Sequence, residues 1–291
     1  MRVLLTGGSG FTGRYVAEAL ALAGHEPVDA EGADRGFDLT RFDSVVAAME
    51  AARPEAVIHL AARSFVGDSD ATAFYSVNTV GTTNVLDAVL ASARALRRIV
   101  VASSANVYGN ALVEPITEST LPAPVNHYAA SKLAMEALVR GYADRLPIVM
   151  TRPFNYTGVG QSAQFLVPKL VAHFAERRAF VELGNIDVVR DFSDVRMVAQ
   201  AYVRLLTAQV PGSVTNLCCG VGRSLRWVLA QLQQLSGHEI EVRVNPAFVR
   251  ASEVHRLVGS SSTMEAALGV LPYRDFRETL AWMLDASTSS K

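Results

Sequence analysis

The segment TGGSGFTG near the start of the chain follows a short apolar run, RVLLT, and places Gly7, Gly10 and Gly13 at three-residue intervals. In this pattern the first glycine permits a tight turn, the second lets the backbone approach a pyrophosphate, and the third lets a helix pack closely on a strand. The helical pattern RYVAEALALAG follows and directs its N-terminal N–H groups at the phosphates. The segment therefore predicts a strand–turn–helix unit that binds a dinucleotide, with Phe11 and Thr12 in the same turn.

Strand and helix patterns then alternate up to Arg152, in AVIHLAA, TTNVLDAVLASAR, RRIVVAS, AASKLAMEALVRGYADRL and PIVMTR. The continuous apolar run AVIHLAA is typical of a parallel strand that is covered on both faces. Repeated units of this kind predict an α/β fold with a Rossmann-type doubly wound parallel sheet. Beyond Arg152 the pattern becomes irregular. We therefore expect a dinucleotide-binding domain over 1–155, with a return segment near 188–208, and a smaller mixed α/β substrate lobe over most of 156–291.

Composition excludes several other classes of protein. The chain has 291 residues, of which 27 are Lys or Arg and 28 are Asp or Glu, so no global field attracts nucleic acid or an anionic membrane. No apolar stretch reaches the roughly 18 residues that span a bilayer, and the first residues lack the pattern of a secretory signal. Cys218 and Cys219 are adjacent, which suits neither a metal site nor a disulfide framework. We expect a cytoplasmic protein with no metal, no nucleic-acid partner and no membrane partner.

A tyrosine and a lysine in YAASK suggest acid–base chemistry. Tyr128 and Lys132 are four residues apart and share one face if the segment is helical. A nearby ammonium stabilises a phenolate, so we expect Lys132 to lower the pKa of Tyr128 towards neutrality, which suits proton transfer at a carbonyl or alcohol. Ser103 and Ser104 end the strand pattern RRIVVAS, where open α/β sheets build their sites. We expect Ser104 to orient both a substrate oxygen and the phenol.

The choice between the two nicotinamide dinucleotides stays open at this point. After the second strand pattern the chain reads PVDAEGADRGFDLT, and Glu31 falls where an acidic residue would hold a ribose 2′-hydroxyl. Arg14 and Arg35 are instead suited to pair with a 2′-phosphate. The sequence therefore predicts NAD(P) without deciding between NAD and NADP.

In order along the chain, TGGSGFTG, HLAARSFV, SSANVYG, YAASK, RPFNYTGVGQ, GNIDVVRDFSDV and RASEVHRLVGSS resemble the extended short-chain dehydrogenase/reductases. The resemblance covers essentially the whole chain and lies in the nucleotide-sugar branch of the NAD-dependent epimerase/dehydratase family. The later motifs most resemble the GDP-mannose 4,6-dehydratase and GDP-6-deoxy-4-ketomannose reductase group. The resemblance implies a homodimer, held by a four-helix bundle of TTNVLDAVLASAR and AASKLAMEALVRGYADRL from each subunit.

The resemblance also implies site residues, with Ser104, Tyr128 and Lys132 as the catalytic group. The implied cofactor-binding residues are Gly7, Gly10, Phe11, Thr12, Gly13, Glu31, Arg35, Asp38, Leu39, Leu60, Ala61, Ala62, Asn78, Ser103, Tyr128, Lys132 and Pro153. The implied substrate-binding residues are Ser64, Phe65, Asn155, Lys169, Arg190, Arg250 and Glu253. Asp38 would contact the adenine and Asn78 would support the site.

Within the substrate set, the resemblance places Arg190 and Arg250 on the diphosphate, for which guanidinium groups are well shaped. Asn155 would hold a diphosphate or sugar oxygen, and Glu253 would accept hydrogen bonds from ribose hydroxyls. Lys169 is compatible with a phosphate contact and equally with an exposed helix face. Ser64 and Phe65, which follow HLAA, would line the hexose pocket.

The motif SSANVYG helps to choose between dehydration and reduction, the two reactions of this group. Dehydratases that resemble the chain typically carry a glutamate in the position of Asn106, and some carry an aspartate in that of Ala105; neither residue present here titrates. The resemblance therefore implies NAD(P)H-dependent reduction of the C4 keto group of a GDP-4-keto-6-deoxyhexose, with a product of the GDP-rhamnose or GDP-6-deoxytalose type. The alternative is a nucleotide-sugar 4-epimerase with tightly bound NAD. A 4,6-dehydratase and a non-catalytic dinucleotide-sensing protein are less favoured.

Overall fold

The structure is a computed structural model that describes residues 1–33, 36–67, 70–92, 95–210, 214–248, 254–273 and 275–289. The strands in these ranges are β1 (Arg2–Thr6), β2 (Glu26–Asp29), β3 (Ala56–His59), β4 (Arg98–Ala102), β5 (Ile148–Pro153), β6 (Asn155–Thr157), β7 (Phe180–Leu183), β8 (Val189–Asp194), β9 (Val214–Leu217), β10 (Gly222–Ser224), β11 (Glu241–Val244) and β12 (Arg256–Leu257). The α-helices are α1 (Phe11–Leu22), α2 (Ala30–Ala33), α3 (Phe42–Ala52), α4 (Ala71–Tyr75), α5 (Gly81–Ala91), α6 (His127–Arg140), α7 (Leu166–Ala175), α8 (Val195–Leu205), α9 (Leu225–Ser236), α10 (Ser262–Leu268) and α11 (Phe276–Ser289). Shorter helical turns are Ser76–Val80, a π-helix, and Ala105–Tyr108 and Pro246–Phe248, both 3₁₀. No helix in these ranges is long and apolar enough to cross a membrane.

Six parallel strands form the central sheet, in the order β2-β1-β3-β4-β5-β9. Successive side chains of a strand point to opposite faces, and β1 shows this directly. Leu4 lies in one core with residues of α3 and α5, whereas Leu5 lies in another with residues of α1 and α8. Helices therefore cover both faces, as buried parallel strands require. The predicted α/β fold with a doubly wound parallel sheet is confirmed.

A second, mixed sheet lies outside the central one. Strand β8 is its centre, with β10 antiparallel and β6 and β12 parallel to it, while β7 and β11 form a separate parallel pair. Helices α7, α9 and α11 pack on these strands around a hydrophobic core of mainly valine and leucine side chains. In that core the rings of Phe192 and Phe276 stack with their centroids 5.2 Å apart. These elements form the smaller lobe.

The chain passes between the two lobes more than once. Helix α8 packs against α1, and β9 pairs with β5 at the edge of the central sheet, with Val214 opposite Met150. The return segment predicted near 188–208 includes α8, but β9 lies beyond it. The division into 1–155 and 156–291 remains a proposal.

Candidate active site

At two positions in the turn between β1 and α1, only glycine fits the backbone. Gly7 has a φ of +72°, and a Cβ there would lie 2.8 Å from the main-chain nitrogen of Ala61. A Cβ on Gly13 would lie 2.0 Å from the carbonyl oxygen of Gly7. The turn therefore presents bare backbone where α1 begins at Phe11, and this arrangement fits the pyrophosphate of a dinucleotide.

A cleft of about 1030 Å³ opens at the carboxyl ends of the central strands and extends to the smaller lobe. It brings together most of the residues that the sequence nominated. The nominated residues that line it are Gly7, Gly10, Phe11, Thr12, Gly13, Arg14, Glu31, Asp38, Leu39, Leu60, Ala61, Ala62, Ser64, Phe65, Ser103, Ser104, Tyr128, Lys132, Pro153, Asn155 and Arg190. Arg35, Arg250 and Glu253 lie outside the described residues.

Two nominated residues lie elsewhere. Asn78 is buried behind the cleft wall, where its Oδ1 accepts from the Arg63 nitrogen at 2.9 Å and its Nδ2 donates to Ser131 Oγ at 3.0 Å. It therefore ties the loop after β3 to α6. Lys169 lines a separate cavity of about 450 Å³, with Nζ 2.8 Å from the carbonyl oxygen of Glu182 and 5.2 Å from the ring centroid of Phe248. Phe248 lines both this cavity and the cleft.

Ser104 stands at the start of the 3₁₀ turn Ala105–Tyr108 and caps it. Its Oγ accepts from the main-chain nitrogen of Asn106 at 3.2 Å and from Asn106 Nδ2 at 3.1 Å. Ser104 and Tyr128 both line the cleft, and hydrogen bonding from the Ser104 hydroxyl acts to lower the pKa of the Tyr128 phenol. The serine and the tyrosine therefore face the same cleft.

Tyr128 and Lys132 lie one turn apart on α6, and both are buried. Burial raises the pKa of Tyr128 to about 12, against the opposing effect of the Ser104 hydrogen bond. Lys132 Nζ donates to the carbonyl oxygen of Ala102 at 2.8 Å, and burial lowers the pKa of Lys132 to about 8 although the charge of Glu136 opposes this. The expected lowering of the Tyr128 pKa is therefore wrong for this structure, because desolvation of the phenol dominates.

Glu31 lies in the first turn of α2 at the cofactor end of the cleft, and accepts a hydrogen bond from the Ser9 hydroxyl. Asp29, at the end of β2, is not among the residues that line the cleft; its Oδ1 accepts from the main-chain nitrogen of Glu31 at 3.2 Å, and burial raises its pKa. Of these two acidic residues, Glu31 is thus the one that faces the cleft, where the sequence placed it.

Arg190 on β8 lines the substrate side of the cleft. Its Nη1 donates to the carbonyl oxygens of Val189 and His255 at 3.0 and 3.1 Å, and its Nη2 donates to that of Val254. These bonds hold the guanidinium group against the backbone of Val254 and His255, which directly follow Glu253 in the sequence.

Beneath the turn Ala105–Tyr108 lies a buried polar group, centred on Glu136 and Arg152, that was not predicted from the sequence. Ser103 Oγ donates to Glu136 Oε1 at 2.6 Å, so this hydroxyl is committed to the protein interior. Arg152 Nη1 donates to the Tyr108 hydroxyl at 2.9 Å, and Tyr108 in turn donates to Asn216 Oδ1 at 2.8 Å. The available signal was the position of Glu136, four residues after Lys132 and on the same helix face.

The chain matches a known protein family over most of its length. The sequence model of the NAD-dependent epimerase/dehydratase family matches residues 3–218. The chain belongs to the NAD-dependent epimerase/dehydratase family, as its motifs predicted.

Individual relatives cover nearly the full length. The chain is 36% identical over 279 residues to the GDP-6-deoxy-D-talose 4-dehydrogenase of Aggregatibacter actinomycetemcomitans, covering 96% of this chain and 94% of the relative. It is 33% identical to the GDP-6-deoxy-D-mannose reductase of Pseudomonas aeruginosa, covering 97% and 96%. Among solved structures, RMD from Pseudomonas aeruginosa complexed with NADPH matches with a TM-score of 0.90 at 31% identity, covering 100% of both chains. The predicted NAD(P) dependence is confirmed, with the choice between NAD and NADP open.

Proposed function

We propose that this chain is a 4-ketoreductase that uses NAD(P)H to reduce the C4 keto group of a GDP-4-keto-6-deoxyhexose. The product would be a GDP-6-deoxyhexose of the GDP-rhamnose or GDP-6-deoxytalose type. The placement of Ser104, Tyr128 and Lys132 together in the cleft carries the proposal, because reduction needs a proton donor beside the carbonyl oxygen. The names of the two relatives support a GDP-linked deoxyhexose as the substrate class.

The side chains supply the proton and the positioning. When bound, a nicotinamide dinucleotide supplies the hydride that reduces C4. Tyr128, with its pKa near 12, holds its proton at neutral pH and gives it to the C4 oxygen as that oxygen gains negative charge. The Ser104 hydroxyl donates a hydrogen bond to the same oxygen. One N–H of the Lys132 ammonium group donates to the Ala102 carbonyl oxygen, which leaves two further N–H groups to hold the nicotinamide ribose.

The cofactor would occupy the side of the cleft that is formed by the β1–α1 turn and by the ends of β2, β3, β4 and β5. We assign to the cofactor those members of the implied cofactor-binding set that line the cleft. Within this set, Asp38 would contact the adenine and Glu31 the ribose. Asn78 has a supporting role from behind the wall.

The sugar nucleotide would lie across Ser64, Phe65, Asn155 and Arg190, with Arg190 on the diphosphate. Arg250 and Glu253 remain proposals on sequence grounds. Lys169 is proposed at the outer end of the substrate site, because Phe248 connects its cavity to the cleft.

The cleft disfavours elimination of water. Among the described residues that line it, the carboxylates are Glu31 and Asp38, both on the cofactor side. Beside Tyr128 the chain has Ala105 and Asn106, which cannot take a proton from carbon at C5. A 4,6-dehydratase is therefore less favoured than a reductase. A 4-epimerase needs the same serine, tyrosine and lysine, and is left as an outcome of the test.

We also propose that the enzyme is a cytoplasmic homodimer whose interface is a four-helix bundle of α5 and α6. The side chains of Val80, just before α5, and Leu138 on α6 are 50% and 48% exposed. Packing of a second copy of the chain against these two residues would remove apolar surface from water.

The deciding experiment mixes the purified protein with GDP-4-keto-6-deoxymannose and either NADH or NADPH. Stoichiometric loss of reduced-nicotinamide absorbance with formation of a GDP-6-deoxyhexose is expected, and the comparison of the two cofactors also settles the preference. Tyr128→Phe should lower the rate by about 10²-fold or more while cofactor binding remains. The matched control is Tyr75→Phe, since Tyr75 lies outside the cleft and its hydroxyl contacts His127.

Other outcomes would replace the proposal. Interconversion of UDP- or GDP-hexoses without net cofactor consumption would establish the epimerase. If neither reaction occurs and Tyr128→Phe behaves as wild type in every assay, a dinucleotide-sensing protein becomes the better description.

A further inference from the structure

The hydroxyl oxygen of Ser104 has a complete set of hydrogen-bond donors around it. A serine hydroxyl has two lone pairs and one proton. The main-chain N–H of Asn106 and the Nδ2 amide of Asn106 approach this oxygen at 3.2 and 3.1 Å. Both acceptor positions are therefore filled by the same residue, and the only capacity left to Ser104 is to donate its proton.

We propose that Asn106 is a positioning residue that directs the Ser104 proton towards the Tyr128 phenol and the substrate carbonyl. The inference rests on the proposed function, because the direction of this proton matters only if Ser104 and Tyr128 act on a carbonyl oxygen. Asn106 itself need not touch the reacting atoms. Its amide prevents Ser104 from turning its proton away from them.

The amide contact is not required to build the turn. A serine cap needs one backbone donor, and the Asn106 main-chain N–H supplies it. The turn is further anchored by Tyr108, which is fully buried and whose hydroxyl is held by Arg152 and Asn216. A change confined to the Asn106 side chain should therefore leave the fold intact.

Two substitutions separate the proposal from simple packing. Asn106→Asp keeps the size and shape but replaces the NH₂ donor by an acceptor, so the Ser104 proton turns to the new carboxylate and away from the phenol. Asn106→Ala leaves one backbone donor on Ser104 and no competing acceptor. If Asn106 only filled space, the isosteric aspartate would be the milder change and alanine the more damaging one.

The proposal predicts the opposite order of rates. Asn106→Asp should lower kcat by about 10²-fold, as the loss of one donor to a developing oxyanion does, and should match Ser104→Ala. Asn106→Ala should lower kcat only several-fold. KM for the keto sugar should change little in either variant, because the substrate contacts proposed above are untouched. An aspartate variant at least as active as the alanine variant would overturn the proposal.

A second readout needs no substrate. Protein labelled with carbon-13 at the Cζ of tyrosine reports by NMR whether the Tyr128 oxygen accepts a hydrogen bond, and Tyr128→Phe identifies the resonance. Asn106→Asp should move this resonance to its position in Ser104→Ala, whereas Asn106→Ala should leave it near the wild-type position. An unchanged resonance in Asn106→Asp would contradict the proposal. If wild-type protein fails to reduce the keto sugar, the proposed function fails while this measurement still decides the role of Asn106.

Discussion

Arg152 and Glu136 form a buried two-point ion pair, in which Nε lies 2.8 Å from Oε1 and Nη2 lies 2.6 Å from Oε2. The same carboxylate accepts the Ser103 hydroxyl, and the same guanidinium donates to the Tyr108 hydroxyl. Ser103 and Tyr108 lie on either side of Ser104 in the chain. The ion pair therefore holds both ends of the segment from Ser103 to Tyr108 to α6 and β5.

Glu136→Gln should lower the free energy of unfolding by about 3–5 kcal/mol, because it leaves the buried Arg152 guanidinium without its countercharge. Urea unfolding measures this change. The control is Glu241→Gln, which removes an exposed ion pair with Arg243 and should leave the midpoint essentially unchanged. Equal midpoints for the two variants would show that the buried pair does not stabilise the fold.

The rate of reduction should fall as the pH rises through about 8, because Lys132 then loses its charge. The pKa of Tyr128 is near 12, so the phenol keeps its proton through this range and does not account for the decline. A profile of kcat/KM against pH reports the groups of the free enzyme. Lys132→Arg, whatever its absolute rate, should lack this decline since a guanidinium stays charged. A decline that persists in Lys132→Arg would assign it to another group.

Stability should rise with pH between about 3 and 6.5 because of His59. Burial, with a smaller effect of the Lys132 charge, lowers the pKa of His59 to about 3, and its ring nitrogens lie 2.6 and 2.8 Å from the hydroxyls of Thr6 and Thr82. The folded-state pKa is below the unfolded one, near 6.5. The contribution of His59 to the free energy of unfolding is therefore complete above pH 6.5. It is lost as the pH falls towards 3, at about 1.4 kcal/mol per pH unit.

Chemical unfolding at a series of pH values checks this, and His59→Gln should flatten the slope in that window. The exposed His127 provides the control, and His127→Gln should keep the wild-type slope. An unchanged slope in His59→Gln would assign the pH dependence to other groups.

Leu138→Glu should convert the proposed dimer to monomer, because it places a charge on an apolar part of the α6 surface. Sedimentation velocity measures the change. Leu22→Glu is the matched control, since Leu22 is 79% exposed on α1, on the opposite face of the central sheet. A dimer that survives Leu138→Glu would place the interface elsewhere.

Local constraints made much of the site predictable from sequence. Gly7 and Gly13 are required by contacts within a few residues or with the adjacent strand, so their spacing alone indicated the turn. Ser104 follows a recognisable strand pattern, Tyr128 and Lys132 lie at the start of a helix pattern, and the fold brings all three to the cleft at the carboxyl ends of the parallel strands.

Features that depend on packing between distant segments were not predictable. The pairing of Glu136 with Arg152 joins a helix to a strand and has no local signature. Lys169 faces a side cavity because α7 lies against β7, which its helical pattern does not reveal. The pKa of Tyr128 moves upward because the phenol is buried, and residue spacing carries no information on burial.

The position of β9 at the edge of the central sheet sets the order in which a newly made chain can become active. Asn216, which holds the Tyr108 hydroxyl, is translated more than sixty residues after the last strand before it in that sheet, β5. A nascent chain that already contains Ser104, Tyr128, Lys132 and Arg152 therefore still lacks one of the two partners of the Tyr108 hydroxyl. That contact can form only after nearly half of the residues over 156–291 have been synthesised, so the turn is completed only as the second lobe forms.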